Sequence, residues 1–217
     1  MPSAESINVN ITRPLKIVQV LPALNSGGVE RGTVELAREL VLGGHTSVVI
    51  SFGGRMVEGG SEHITFPVHR KSLCSLLQVR PMRKLLESLN ADVVHVRSRA
   101  PAWIVWLAWR RMNPVTRPRL VSTFHGMYSV NFYSAVMARA EHLIAISDCV
   151  KKYIITNYKA DERRITLIPR GLDPAAFNHD ACTPEWKKEL FEQYPQLQDK
   201  RIILMPGRLT RWKGQEA

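Results

Sequence analysis

The stretch KIVQVLPALNSGGVERGTVELARELVLGGHTSVVISF (Lys16–Phe52) reads as strand, turn, helix and strand. Lys16–Leu21 is a short apolar run ended by Pro22, the pattern of a buried strand. Asn25-Ser26-Gly27-Gly28 breaks the chain. Val34, Ala37, Leu40 and Val41 then recur at helical spacing until Gly43-Gly44 closes the helix. Thr46–Phe52 is the next strand. Two strands joined through a helix imply parallel pairing by a crossover connection.

The same alternation continues outward. A glycine-rich loop, Gly53–Gly60, leads to a short strand at His63–Pro67. Leu73–Leu89 has helical spacing, with Pro81 predicting a kink or a new first turn. Strands are predicted at Asp92–Val96, Arg119–Phe124, His142–Ile146 and Ile165–Ile168. Helices are predicted at Ala102–Met112, Val130–Ala140 and from Ser147 to Tyr158, with Ser147 as N-cap and Val150, Tyr153 and Ile154 inward. Trp103, Trp106 and Trp109 repeat at i, i+3, i+6 and suit core packing. The pattern is an α/β domain with a doubly wound, mostly parallel sheet. Its ligands belong beyond the C-terminal strand ends. In this chain those ends are Pro22–Glu30, Arg97–Arg99, His125–Tyr128, Ser147-Asp148 and Pro169–Asp173.

Residues 1–14 form a polar tail and 15–178 the first Rossmann-like domain. Residues 179–200, proline-flanked and charged, form a connector. Arg201–Met205 (RIILM) is predicted to be the first strand of a second domain spanning 201–217. One strand and one loop bury no core, so the sequence suggests a truncated second domain.

Composition narrows the function classes. Hydrophobic residues at 45% and charged residues at 23% fit a globular chain rather than a disordered one. The longest apolar run, Pro101–Trp109, is well short of the roughly 20 residues of a membrane span. No apolar core of a signal peptide stands at the N-terminus, and a cytoplasmic protein is expected. Three scattered cysteines lie outside any CxxC or metal-ligand spacing, which argues against a disulfide framework or a structural zinc. The net charge of +11 favours polyanionic partners. Residues 55–120 carry twelve Lys/Arg against four Asp/Glu, so most of that excess lies there. Arg70, Lys71, Arg80, Arg83 and Lys84 flank Leu73, Leu76, Leu77 and Leu85, a pattern that fits adsorption to an anionic membrane surface. A solvated basic face is the alternative. Nucleic acid is not expected, since no recognition motif accompanies the charge.

Three stretches suggest chemistry. Asn25–Arg31 (NSGGVER) lets backbone N–H groups approach a phosphate at a helix N-terminus, although it is neither GxGxxG nor GxxxxGK[ST]. A tight strand-to-helix turn explains it equally. His125, in STFHG, follows a strand directly; it is expected to face a cleft, with Gly126 taking an unusual backbone angle. A His satisfying local carbonyls is the other reading. Gly207–Gly214 (GRLTRWKG) groups Arg208, Arg211 and Lys213, a fork and a point charge suited to a diphosphate, or else a solvated basic loop.

In order along the chain, NSGGVERGTVELARELVLGGH (Asn25–His45), DVVHVRS (Asp92–Ser98), STFHG (Ser122–Gly126), AISDCVKKYI (Ala145–Ile154), LIPRGLDPAAF (Leu167–Phe177) and GRLTRWKG (Gly207–Gly214) resemble the motifs of family 4 glycosyltransferases. The resemblance covers about residues 15–217. It implies the GT-B fold, two Rossmann-like domains facing across a cleft. It also implies transfer of a sugar, with retention, from a nucleotide-sugar to a glycan or lipid-linked acceptor of the cell-envelope type. No metal or other cofactor is implied. The likeness places Gly28 at the donor phosphates, His125 at the transferred sugar, and Arg208 and Lys213 at the diphosphate. Gly27, Arg97, Ser147 and Arg170 become cleft candidates. Arg170-Gly171-Leu172-Asp173 replaces the family's Asn-Gly-Val-Asp, so no role passes to position 170. The family's later acidic motif would lie beyond Ala217, so the 217 residues alone are expected to lack most of the nucleotide site and to be inactive. A sugar-nucleotide epimerase of the same architecture, or a non-enzymatic basic α/β protein binding membrane or nucleic acid, are the alternatives.

Overall fold

The computed structural model describes residues 13–25, 27–56, 62–69, 73–171, 183–205 and 207. Within residues 1–170, seven parallel strands form one sheet: β1 Lys16–Val20, β2 Thr46–Ser51, β3 Glu62–Thr65, β4 Val93–Val96, β5 Arg119–Phe124, β6 His142–Ala145 and β7 Ile165–Leu167. Their spatial order is β3-β2-β1-β4-β5-β6-β7. The chain therefore winds outward from β1 in one direction, then returns and winds the other way. β1 pairs with β2 on one side and β4 on the other, with Val18 opposite both Val48 and Val94. That reversal is the topological switch point, where strand-end loops part to leave a crevice.

The helices are α1 Gly28–Leu42, α2 Val79–Leu89, α3 Arg99–Trp109, the short α4 Phe132–Ala135, and α5 Asp148–Tyr158. Side chains alternate across a strand, so β2 serves both faces of the sheet. Val49 joins Leu21, Leu24 and Ala37 of α1, whereas Val48 and Ile50 join the larger core with Met82, Leu86, Ile104 and Val105. Helix α2 buries Val79, Met82 and Leu86, the i, i+3, i+7 stripe of an amphipathic helix. Helix α3 is buried nearly all round.

Several boundaries differ from the sequence reading. The stretch Leu73–Leu89 divides into a 3₁₀ turn, Leu73–Gln78, and α2, with Pro81 in the first turn of α2; an amide there has no intrahelical acceptor to lose. Helix α3 starts three residues earlier than expected, because Pro101 is accommodated in its first turn. The expected helix at Val130–Ala140 is α4 followed by a 3₁₀ turn at Val136–Arg139. Ser147 caps α5 as expected, its hydroxyl accepting the Val150 N–H at 3.2 Å. Of the three tryptophans, Trp109 is buried, while Trp103 and Trp106 pack partly buried against the same core.

Residues 171–217 form a separate unit. Its described part holds α6 Pro184–Gln193, capped by Thr183, and a 3₁₀ turn at Pro195–Leu197. Arg201–Met205 is not a strand: the segment is exposed throughout and pairs with no strand among the described residues. Its β-branched composition supplies propensity, but a strand exists only through a neighbour's hydrogen bonds.

Candidate active site

The candidate side chains gather where β1, β4, β5 and β7 end. The β1 sequence KIVQV carries one polar residue, Gln19, inside an apolar strand. Gln19 is fully buried, and its amide is spent in two directions. Its Nε2 donates to the Thr33 carbonyl in α1 at 3.1 Å, and its Oε1 accepts from Arg97 Nη1 at 3.0 Å. Gln19 thus ties the residue after β4 to the second turn of α1.

Arg97 is only 6% exposed, and its Nε has no partner among the described residues. Burial, then the neighbouring charge of Arg170, lowers its pKa to about 10. It remains a cation at neutral pH. Arg170, just past β7, reaches back to α1 and donates from Nη2 to the Gly28 carbonyl. Glycine at two helical positions leaves room for these guanidiniums as they are placed. A methyl at Gly28 would lie 2.8 Å from Arg170 Nη1, and one at Gly32 would lie 3.1 Å from Arg170 Nη2 and 3.5 Å from Arg97 Nη2. Positions i and i+4 share a helix face, so the two glycines clear one face of α1 for two guanidiniums. Gly27 is extended and opens α1, with its carbonyl accepting the Arg31 N–H at 2.9 Å; a side chain there would run into the Glu30 carboxylate.

His125 follows β5. The sequence placed it in the open cleft, whereas both ring nitrogens are buried, with no hydrogen-bond partner among the described residues. Burial first, then the charges of Arg97 and Arg170, push its pKa down to about 3. His125 is therefore a neutral imidazole at physiological pH, free to donate from one nitrogen and accept at the other. Near it on β4, His95 is buried and bonded through Nε2 to Thr123 Oγ1 at 2.7 Å. Burial, with Arg97 and His125 nearby, holds His95 well below the usual imidazole range. Gly126 does not take the unusual angle expected of it: it is absent from the positive-φ glycines, and a Cβ there would meet open space. The turn is held by aromatic contacts instead. The His125 N–H donates to Tyr128 Oη at 3.3 Å, and the hydroxyls of Tyr153 and Tyr158, both on α5, donate to the Tyr128 carbonyl. Arg99 stacks 4.9 Å over the Tyr128 ring and donates to Ser134 Oγ at 3.1 Å.

Gly28, Arg97, His125 and Arg170 are therefore brought together. Ser147 caps α5 through its hydroxyl, which accepts the Val150 N–H and keeps its own O–H to donate. Arg208 and Lys213 lie outside the described residues, as do Arg70 and Lys71. Arg80, Arg83 and Lys84 line a separate groove of about 530 Å³ with Leu76, Val79 and Arg111. Arg83 is engaged there by Glu87 at 3.1 Å. Gln19 and Gly32 were missed by sequence reasoning; the signal for the first was a lone amide in a buried strand.

The two neutral histidines have a consequence for stability. Their folded-state pKa values lie below the ordinary 6.5, so the unfolded chain binds protons that the folded chain refuses. Their contribution is fully present above about pH 6.5 and is lost as pH falls from there toward 3. Unfolding midpoints measured from pH 7.5 down to 4 should fall. His125→Gln should flatten that fall, and an unchanged pH slope in the variant contradicts the assignment.

The model of Glycosyltransferase Family 4 matches residues 26–176. No curated protein matches the chain. A solved glycosyltransferase from Rickettsia africae ESF-5 is 37% identical with a TM-score of 0.76, over 93% of this chain and 55% of that one. Anabaena Alr3699/HepE, solved with UDP and glucose, is 18% identical with a TM-score of 0.71, over 93% and 56%. WaaG, a glycosyltransferase involved in lipopolysaccharide biosynthesis, is 16% identical with a TM-score of 0.60, over 84% and 52%. The chain thus spans about half the length of these structures. Its Rossmann-like sheet is that of the GT-B glycosyltransferases. With a family match across most of its length, the chain belongs to glycosyltransferase family 4.

Proposed function

We propose that this chain contributes the first, acceptor-side half of a retaining transferase. The enzyme would move a sugar from a nucleotide-diphosphate sugar to a glycan or lipid-linked acceptor. The observation that carries the reading is the pairing of the family match with one buried, neutral, unpartnered imidazole at the switch-point crevice. The reaction breaks the bond between the anomeric carbon and the diphosphate and forms a bond to an acceptor oxygen. The acceptor's proton passes to the departing phosphate on the same face. Arg208 and Lys213 would offset the charge growing on that phosphate. His125 would hydrogen-bond the sugar as positive charge develops at its anomeric carbon. A neutral ring does this without repelling that charge, and burial, then the flanking charges of Arg97 and Arg170, keep it neutral. In a full-length transferase, UDP is the first nucleotide to try, because the Anabaena structure holds it. Saturable binding of UDP over a single-stranded oligonucleotide supports the reading; preference for the oligonucleotide overturns it.

The same enzyme would work at the cytoplasmic face of an envelope membrane. Among the described residues no helix is long and apolar enough to cross one. Exposed Leu76 and Leu77 beside exposed Arg80 and Lys84 support peripheral adsorption instead. Each cation near an anionic bilayer contributes about 1 kcal/mol. Sedimentation should show binding to anionic but not neutral liposomes, weakened by salt and lost in Arg80→Glu/Lys84→Glu. Binding indifferent to lipid charge contradicts it.

A further inference from the structure

A parallel sheet is ordinarily filled by valine, isoleucine and leucine, and one row of this sheet departs from that. Gln19 of β1 stands in register with His95 of β4, and the His95 ring bonds Thr123 of β5 at 2.7 Å. All three are at most 5% exposed. Residues two apart on a strand share a face, so the row runs on past the strand ends as Arg97 and His125. Arg97 Nη1 turns back along it to Gln19 Oε1 at 3.0 Å. That bond fixes a guanidinium with few other supports. Its Nε is buried without a partner, and among the described residues no carboxylate pairs with it. The far side of the Gln19 amide donates to the Thr33 carbonyl at 3.1 Å, which keeps the amide from turning. An amide accepts from a guanidinium and donates to a carbonyl at once. Glutamate would keep the first bond, lose the second and neutralise the arginine. Methionine would keep the volume and lose both.

We propose that Gln19 is a positioning residue: its amide holds Arg97 beside His125 while leaving the guanidinium charge uncancelled. Around the His125 ring stand Arg97 past β4, Arg170 past β7 and His95 on β4. Tyr128 bonds the His125 backbone from the same loop, and Arg99 of α3 lies over the Tyr128 ring. Burial disfavours a charged His125 first, and the two cations Arg97 and Arg170 add to it. They do not act equally. Arg170 is exposed and screened by water, whereas Arg97 is buried and acts through a poorer dielectric. Gln19 therefore governs the stronger of the two influences without touching the ring. Its part in turnover rests on the proposed function; its hold on Arg97 does not.

The test compares the unsubstituted 217-residue chain with Gln19→Glu and Gln19→Met by NMR. The His125 ring signals are assigned by their absence in His125→Gln and followed from pH 7.5 to 4.5. In the unsubstituted chain the ring should not titrate over that range, and the Arg97 Nε–H should exchange slowly with water. A ring that titrates near pH 6.5 there, or an Nε–H that exchanges at the solvent rate, overturns the proposal before any variant is made. In Gln19→Glu the ring midpoint should rise by about one unit or more, since a neighbouring charge moves a pKa by about 1–3 units. In Gln19→Met the protected Nε–H should be lost. In the full-length protein, Gln19→Met should lower kcat roughly tenfold or more with KM nearly unchanged, as a misplaced group does. The acid limb of the kcat profile should move to higher pH in Gln19→Glu. Folded variants in which the ring midpoint, the Nε–H and kcat all stay put, or in which only the unfolding midpoint falls, make Gln19 structural and overturn the proposal. An unsubstituted full-length protein that transfers no sugar counts against the transferase reading instead, and the NMR result then decides the hold on Arg97.

Discussion

Replacing His125 by alanine in the full-length transferase is expected to lower turnover by roughly 10²–10³, with nucleotide affinity close to that of the unsubstituted protein. The loss corresponds to about 2.7–4 kcal/mol, the usual cost of removing one preorganised contact to the developing charge. Preorganisation is the relevant word for this imidazole. Its nitrogens are already stripped of water, and its backbone N–H is fixed to Tyr128. No solvent has to be reorganised when the sugar arrives. A contact that strengthens only as charge develops lowers the rate rather than the affinity. Arg208→Ala and Lys213→Ala should behave differently and weaken nucleotide binding too, because the ground-state diphosphate is already charged. Kinetic constants measured beside calorimetric affinity of the nucleotide product separate the two patterns. A folded His125→Ala variant with near-normal turnover would make the residue structural.

The second large effect is on stability. Phe124→Ala should destabilise the chain by about 3–5 kcal/mol, a sizeable part of the 5–15 kcal/mol that holds a typical domain together. Phe124 is fully buried at the end of β5, and its ring sits 5.5 Å from those of Tyr128 and Tyr158. Truncation leaves a cavity under the loop that carries His125. Two of the tyrosines that pin that loop lose their apolar footing at the same time. Denaturant unfolding should show a lower midpoint with an unchanged slope. A cost below about 1 kcal/mol would mean that the surroundings collapse into the space.

The two results share a cause, since the site is built from the core's own strand ends. That relation explains what the sequence reveals and what it conceals. The periodicities of KIVQV, TSVVIS and α1 are strong because each element buries one face, and seven parallel strands follow from repeating that unit. Arg97, His125 and Arg170 were accessible for the same reason: each is the first chemistry-bearing residue past a strand, and topology sends ligands there. Gly32 was not accessible. Its meaning depends on two arginines 65 and 138 residues away in sequence, and no local pattern encodes that meeting. The ends of α3 were displaced because a proline inside an apolar run reads as a start, although a first turn tolerates it. RIILM looked like a strand because propensity is local, whereas pairing is not. The protonation state of His125 was equally hidden, since it depends on burial and on two guanidiniums brought from distant strands.

The most direct measurement of the central claim follows the fate of the donor. Isotopically labelled nucleotide-sugar is incubated with the full-length protein and a membrane-derived acceptor fraction, and the products are separated. The account predicts release of the nucleoside diphosphate in step with appearance of the labelled sugar on the acceptor, both lost in His125→Ala. A protein that returns the nucleotide-sugar bond intact, with one stereocentre of the sugar inverted and nothing on the acceptor, is an epimerase and contradicts the account.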